Sequence, residues 1–332
     1  MKNGIAIAGN IICDVIKTVD AYPACGMLAN ISGISKSVGG CVPNTAVNLV
    51  SLGGVKVKAL GKTGNDTEGE YVKREMSRAG VDVSRVTACA APTSFTDVIT
   101  VPGGERTFFY ASGAGAEFGP KDINLKALSC EILHLGYLML LDAFDAADGG
   151  YGTVAARFLS AAREAGIKTS IDTVSQSGGA FRQALVPALK FCDYAIINEI
   201  EAGEIAGIPP RDKDGKLLVK NIENILRALI EHGVREKAVI HCPEGGFCLD
   251  IKKGRAFVPS LRLPKGYIKG KVGAGDAFCA GVLFGIYNGF TDEETLKAAS
   301  CVAARNLAFN DSVSGACALE EALKLEKLYS RG

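Results

Sequence analysis

The stretch GKVGAGDAFCAGVLFGIYNGF, residues 270–290, sets one carboxylate, Asp276, between a glycine-rich turn and a run almost without charge. From Ala277 to Tyr287 every position is apolar or small, so the run reads as a helix buried on all sides, stopped at Asn288 and Gly289. Gly273, Ala274 and Gly275 have little or no side chain, which lets a ligand approach their amides, and the helix start aims its N–H groups at the same place. That combination is an anion hole. Two readings of Asp276 stand on this stretch alone. It is either a helix N-cap, or a base that accepts the proton of a substrate hydroxyl while the helix-end amides stabilise a transferring phosphoryl group.

A helix buried on every face needs protein on every side, and the flanking sequence supplies it. From about residue 115, helical segments alternate with short apolar runs: CEILHLGYL (130–138), IKTSIDTV (167–174), CDYAIINE (192–199) and EKAVIHC (236–242). The helices between them include GTVAARFLSAAREAG (152–166) and KNIENILRALIEHG (220–233), the latter stopped by Gly233. Buried strands separated by helices predict a mostly parallel sheet covered on both faces, an α/β fold. The N-terminal third differs. TSFTDVITVPGGERTFFYAS (93–112) is β-rich on both sides of Pro102, Gly103 and Gly104, as a hairpin requires, and ANISGISKSVGG (29–40) reads as a further strand. These insertions are expected to pair into a small β-sheet standing beside the main one as a lid.

The 332 residues are 48% hydrophobic, enough to bury a substantial core. Lysine plus arginine number 37 and aspartate plus glutamate 36, so the formal charge of +1 offers no field to gather nucleic acid or an anionic membrane, and partners are sought among small molecules. The opening MKNGIAIAGNIICDVI reads as a first strand and not as a secretory leader. No run reaches the roughly 18 apolar residues of a membrane span, so a soluble, cytoplasmic protein is expected. Eleven scattered cysteines form no CxxC pair, and three histidines are too few to complete zinc sites with them; the thiols read as reduced and structural.

Two familiar phosphate loops are absent. LGKTGND (60–66) lacks the leading glycine of a Walker loop, since Lys56 stands there, and AIAGNIICD (6–14) lacks GxGxxG after its strand. Both are expected to be a turn followed by an exposed loop.

The GAGD turn and its small-residue helix resemble the C-terminal signature of the ribokinase-like, or PfkB-type, carbohydrate kinases. Further landmarks of that family follow in order over about residues 4–320. SVGGCVPNTAVNLVSLGG (37–54) is similar to its N-terminal glycine motif, with Gly39, Gly40 and Asn44 at sugar-contacting positions. Asp14 matches the aspartate that binds sugar hydroxyls. GERTFFYASGAGAEF (104–118) resembles the second lid strand, from which Arg106 could reach substrate, and INEIEAGEIAG (197–207) carries the NxxE pattern at Asn198 and Glu201. Physics permits these roles. An amide and a carboxylate suit a polyol, while Asn198 and Glu201, three apart at a helix start, can share a face toward phosphate and magnesium or simply cap the helix.

The resemblance implies a three-layer ribokinase-like fold, one kinase domain over residues 1–332 with lid insertions at about 12–38 and 91–113, and often a homodimer formed through the lid. It implies transfer of the γ-phosphoryl group of ATP, with Mg2+, to a hydroxyl of a sugar or sugar-like acceptor. Asp276 would be the base, with Gly273, Ala274 and Gly275 as the anion hole, and Asp14, Gly39, Gly40, Asn44 and Arg106 would hold the acceptor. Asn198, Glu201 and Gly246 would serve ATP, and Glu201 the metal.

The chain departs from the family pattern in three places. Gly270 and Lys271 replace the Asp-Thr that commonly precedes GAGD, which puts a monovalent-cation site in doubt. HCPEGG (241–246) replaces a Thr-x-Gly-x-x-Gly strand end, with His241 and Pro243 at the first two positions, and Val174 stands where asparagine is frequent after Asp172. Two other functions stay open: a nucleoside kinase, with Phe95, Phe108, Phe109 or Tyr110 as a shelf for the base, and a non-catalytic sugar-binding protein of the same fold.

Overall fold

Burial along the strand Ile5–Gly9 shows how the main sheet is covered. The whole strand is buried, with Ile5 and Ile7 entering one core layer and Ala6 and Ala8 the other. A strand buried on both faces has no polar side to show, which is why these strands are apolar runs in the sequence. A computed structural model describes residues 3–103, 105–174 and 181–332; Gly104 of the expected hairpin turn lies outside them. Among the described residues the main sheet has nine strands, in the order Gly254–Pro259, Gly245–Asp250, Lys237–Cys242, Tyr194–Asn198, Lys168–Thr173, Ile132–Leu138, Ile5–Gly9, Val57–Gly64, Asp82–Cys89. Neighbours from Lys237–Cys242 through Asp82–Cys89 are parallel, and the remaining two strands continue antiparallel.

Helices cover both faces, giving the three layers expected. Cys41–Ser51, Ala274–Asn288 and Asp292–Asn306 pack with one core layer; Val154–Glu164, Phe181–Leu189, Glu199–Ala206 and Val219–Glu231 pack with the other. Ala274–Asn288 is buried at nearly every position because Asp292–Asn306 lies closely over it. A Cβ at Gly281 would stand 2.4 Å from Ala299 Cα, and one at Gly285 2.5 Å from Thr295 Oγ1, so these small residues set the helix–helix distance. The helix ends as read, at Asn288 with Gly289 left-handed at φ 75°, but begins earlier, at Ala274. Among the described residues no helix is long and apolar enough to cross a membrane.

Two readings are overturned. LGKTGND is not an exposed loop: Val57–Gly64 is a nearly fully buried strand, and Lys62 forms an ion pair with Asp122 at 2.9 Å. AIAGNIICD is likewise buried, because its residues close one strand at Gly9 and open another at Ile12. Glycine next to polar residues suggested turns, whereas the flanking strands impose extended backbone there.

The small sheet is present, in the order Ile31–Gly39, Ile12–Val19, Ser94–Thr100, Arg106–Ala111. Its register sorts the side chains, since alternate residues of a strand point to opposite faces. Ser37, Asp14, Thr96 and Tyr110 form one cross-strand row, Ser35, Ile16, Val98 and Phe108 the next, and Thr18, Thr100 and Arg106 a third on the same face. Phe95 and Phe109 fall on the opposite face, together with Ile34 and the ion pair of Lys17 with Asp97.

Strand order reverses at Ile5–Gly9. The chain proceeds from it to Val57–Gly64 on one side and later returns to Ile132–Leu138 on the other. Ligands of open α/β sheets bind beyond the carboxyl ends of strands at such a switch point. Asn10, just past the first strand, donates its backbone N–H to Gly136 O (3.2 Å), and its side-chain oxygen accepts the Tyr137 N–H (2.8 Å).

Candidate active site

Asp276 lies in the first turn of Ala274–Asn288, 4% exposed, and does not cap the helix: the N-cap is Gly273, at φ 73°. Its carboxylate instead accepts hydrogen bonds from Asn44 Nδ2 at 3.0 Å and from the Tyr137 hydroxyl at 2.7 Å. The cap reading is therefore excluded by geometry. Burial pushes the Asp276 carboxyl up to about 7; the hydrogen bonds from Tyr137 and Asn44 hold it down, and the Glu201 charge adds to the rise. A carboxyl poised there can be ionised near neutrality and still accept a proton.

The anion hole is narrower than the sequence implied. Ala274 N–H bonds to Lys271 O at 3.3 Å, and Ala277 N–H to Gly273 O at 2.9 Å. At a helix start the N–H groups of Gly275 and Asp276 have no helical carbonyl within reach, which leaves these two open to an anion.

On one side of this turn lies a cavity of about 550 Å³ beneath the lid, lined by Ile16, Ser37, Thr100, Arg106 and Asn310. A smaller recess that shares Ile16, Ser37, Arg106 and Asn310 with it is bounded by Asp14, Phe108, Val272 and Ser312. A Cβ on Gly39 would stand 2.3 to 2.7 Å from the Asp14 carboxyl group, so glycine there lets the acid lie flat over the backbone. Burial raises the Asp14 carboxyl to about 6, with Thr96 and the Arg106 charge opposing. Gly40, at φ 85°, turns the chain from the lid into Cys41–Ser51. That helix carries Asn44 to Asp276, so Asn44 positions the carboxylate; its buried Oδ1 has no hydrogen-bond partner among the described residues. Arg106 lines the cavity and donates to Asn310 O at 2.8 Å, tying the lid to the body.

On the other side of the turn a cavity of about 460 Å³ is walled by Leu261, Ile268, Ala304 and Leu307, with His241, Lys271 and Gly275 at its polar end. Such a slot suits a flat base leading to phosphates. His241 and Lys271, two of the residues that depart from the family pattern, thus line it. Gly246 does not: a Cβ there would stand 2.8 Å from Phe278 Cζ, behind the wall, and Gly245 is the lining glycine.

Asn198 and Glu201 form a capping box, in which Asn198 Oδ1 accepts from Glu201 N at 2.9 Å and Glu201 Oε2 from Asn198 N at 3.4 Å. The Glu201 charge raises both Asp172 and Asp276, which are buried as it is. Among the described residues no lysine or arginine pairs with Asp172 or Asp276. Carboxylate oxygens are the donors that a hard divalent cation takes. Sequence reading missed Tyr137, Asn10 and the role of Asp172. Each sits at a strand's carboxyl end, and the switch-point rule applied to the predicted strands was the signal that could have found them.

A profile described as "pfkB family carbohydrate kinase" matches residues 2–308. The 2-dehydro-3-deoxygluconokinase of Bacillus subtilis is 25% identical over 287 residues, covering 84% of this chain and 83% of the relative. Arabidopsis thaliana ribokinase complexed with ribose and ATP superposes with a TM-score of 0.80 at 17% identity, over 98% of this chain and 99% of that one. The Methanocaldococcus jannaschii nucleoside kinase gives 0.75 at 18%, over 98% of each.

Proposed function

The chain belongs to the pfkB family of carbohydrate kinases, and on that premise we propose that it moves the γ-phosphoryl group of ATP onto a hydroxymethyl-type hydroxyl of a sugar or sugar-like acceptor held under the lid. One observation supports this reading: the turn that leads into Asp276 borders both chambers, with Val272 on the recess under the lid and Lys271, Ala274 and Gly275 on the apolar slot. The hydroxyl oxygen attacks the γ-phosphorus, the bond to the β-phosphate oxygen breaks to release ADP, and the hydroxyl proton goes to Asp276. Gly275 and Asp276 N–H groups stabilise the charge on the transferring group, with Gly273 and Ala274 shaping the turn. Asp14, with Gly39 behind it, takes acceptor hydroxyls; Gly40, Asn44 and Arg106 complete that side. Asn198 orients phosphate, and Glu201 would hold Mg2+. When bound, Mg2+ neutralises phosphate charge. Positioning and charge stabilisation supply most of the rate, and the base about 10²- to 10⁴-fold.

In this reading residues 1–332 act as one cytoplasmic kinase domain. The lid's outward face, with Ile34 66% and Phe109 52% exposed, meets a second copy; a monomer by light scattering at assay concentration counts against that pairing. A nucleoside acceptor is the second reading, favoured by Phe108 and Tyr110, which the lid register puts on Asp14's face. The test is ADP release from ATP with sugars, sugar acids and nucleosides, with and without potassium, and with Asp276→Ala as control. Preference for nucleosides that Phe108→Ala abolishes selects the second reading. No turnover with any acceptor, or full turnover in Asp276→Ala, defeats both.

A further inference from the structure

Directly beneath the switch point, three side chains of unlike chemistry converge. His134 on Ile132–Leu138, Asp172 on Lys168–Thr173 and Cys279 on Ala274–Asn288 are all buried, and their ligand atoms lie within 4.8 Å of one another. We propose that His134 Nε2, an Asp172 carboxylate oxygen and Cys279 Sγ form a binding site for a borderline divalent metal of the zinc type, which shares only Asp172 with the carboxylates that suit magnesium.

Geometry supports it. Zinc bonds of about 2.3 Å to sulfur and 2.0 to 2.1 Å to nitrogen at a tetrahedral angle place those two atoms about 3.6 Å apart. His134 Nε2 and Cys279 Sγ are 3.8 Å apart. The imidazole is already oriented for this, because Ser170 Oγ holds Nδ1 at 3.0 Å and leaves Nε2 toward the cluster, the usual outer-shell arrangement of a metal-binding histidine. Asp172 Oδ1 is fixed in turn by the Thr173 N–H at 2.7 Å. Room is kept by Gly136: a Cβ there would stand 2.8 Å from Cys41 Sγ, 3.3 Å from Asp172 Cβ and 3.4 Å from His134 Nε2. Cys41 is thus a further soft donor bordering the same space.

Charge is compatible with this reading. A dication held by one thiolate, one carboxylate and a neutral imidazole is electrically balanced, and it would take the place of the protons that keep the buried thiol and carboxyl neutral when the cluster is empty. Binding replaces the Cys279 thiol proton and the Asp172 carboxyl proton, both of which leave to solvent, so uptake releases protons and strengthens with pH. Sulfur and nitrogen donors select zinc or cobalt over magnesium. Asp172 is the wall shared by the two donor sets.

The test uses the purified full-length chain, unfolded in EDTA and refolded with ZnCl2 or CoCl2 in excess magnesium, then dialysed. Expected are about one metal per chain by elemental analysis and, for cobalt, a thiolate charge-transfer band in the near ultraviolet. Cys279→Ala should lose the band and the metal, while Cys25→Ser, on the surface, keeps both. Should Cys279→Ala fold poorly by circular dichroism, His134→Gln replaces it. Metal no higher than in these variants, cobalt bound without the thiolate band, or a band that survives in a folded Cys279→Ala would overturn the site.

Discussion

Tyr137 points its hydroxyl at Asp276, 2.7 Å from each carboxylate oxygen. The phenol comes from the carboxyl end of one strand and the acid from the start of a helix on the opposite side of the crevice, so their contact fixes both. Burial beside Asp276 raises the Tyr137 phenol well above its ordinary range, which keeps it a donor. A donor favours the ionised carboxylate. Tyr137→Phe should therefore raise the Asp276 carboxyl beyond about 7 and move the acid limb of the kcat profile to higher pH, with kcat about 10-fold lower near neutrality. An unchanged limb in the variant would remove Tyr137 from the mechanism.

Asp276 binds its proton more tightly in the folded chain, where it titrates near 7, than in the unfolded chain, near 4. Between those values the folded state carries the extra proton, so its stability falls as pH rises, and above the folded value the whole cost of a buried charge is present. Asp276→Asn should accordingly lower kcat by roughly 10²- to 10⁴-fold yet raise Tm by ~3–6 °C at about pH 8, a gain that fades toward about pH 4. Thermal melts at both pH values check the sign.

Much of this site was legible because its residues sit in short, chemically odd stretches. The GAGD turn announced a helix start with an acid, and the glycines before Asn44 announced a tight passage from the lid. Tyr137 and Asp172 were not legible, since a tyrosine or aspartate ending an apolar strand has no local peculiarity; only the strand order brings them to Asp276. The strand face of Gly246 was not legible for a similar reason. Its neighbour Gly245 occupies the adjacent, opposite-facing position, and a one-residue choice of strand face is invisible until Phe278 is seen to pack against one side.

Gly39→Ala inserts a methyl group where the Asp14 carboxyl group lies. The acid must swing away, so the acceptor KM should rise by ~10-fold or more while the KM for ATP, bound across the turn, stays as it was. Steady-state kinetics with each substrate varied in turn separates the two; equal rises in both would mean the damage is global.

Arg106→Ala removes the 2.8 Å bond to Asn310 O that ties the lid to the body. Amides of Ser94–Thr100 and Arg106–Ala111 should exchange faster with deuterium, and the acceptor KM should rise about 3- to 10-fold, in keeping with the loss of about 1 kcal/mol of hydrogen bonding. Exchange confined to wild-type rates would show that the lid is held by its strands alone.

The turn at residues 271–275 lies between the cavity under the lid and the apolar slot, with Val272 on one flank and Lys271 and Gly275 on the other. A turn so placed invites a tethered, bisubstrate ligand. A polyol head joined through a short polyphosphate to adenosine could cross the turn at the Gly275 and Asp276 amides and fill both chambers at once. Its affinity would exceed that of either half through effective concentration, and the polyol end would meet the lid row of Ser37, Asp14, Thr96 and Tyr110.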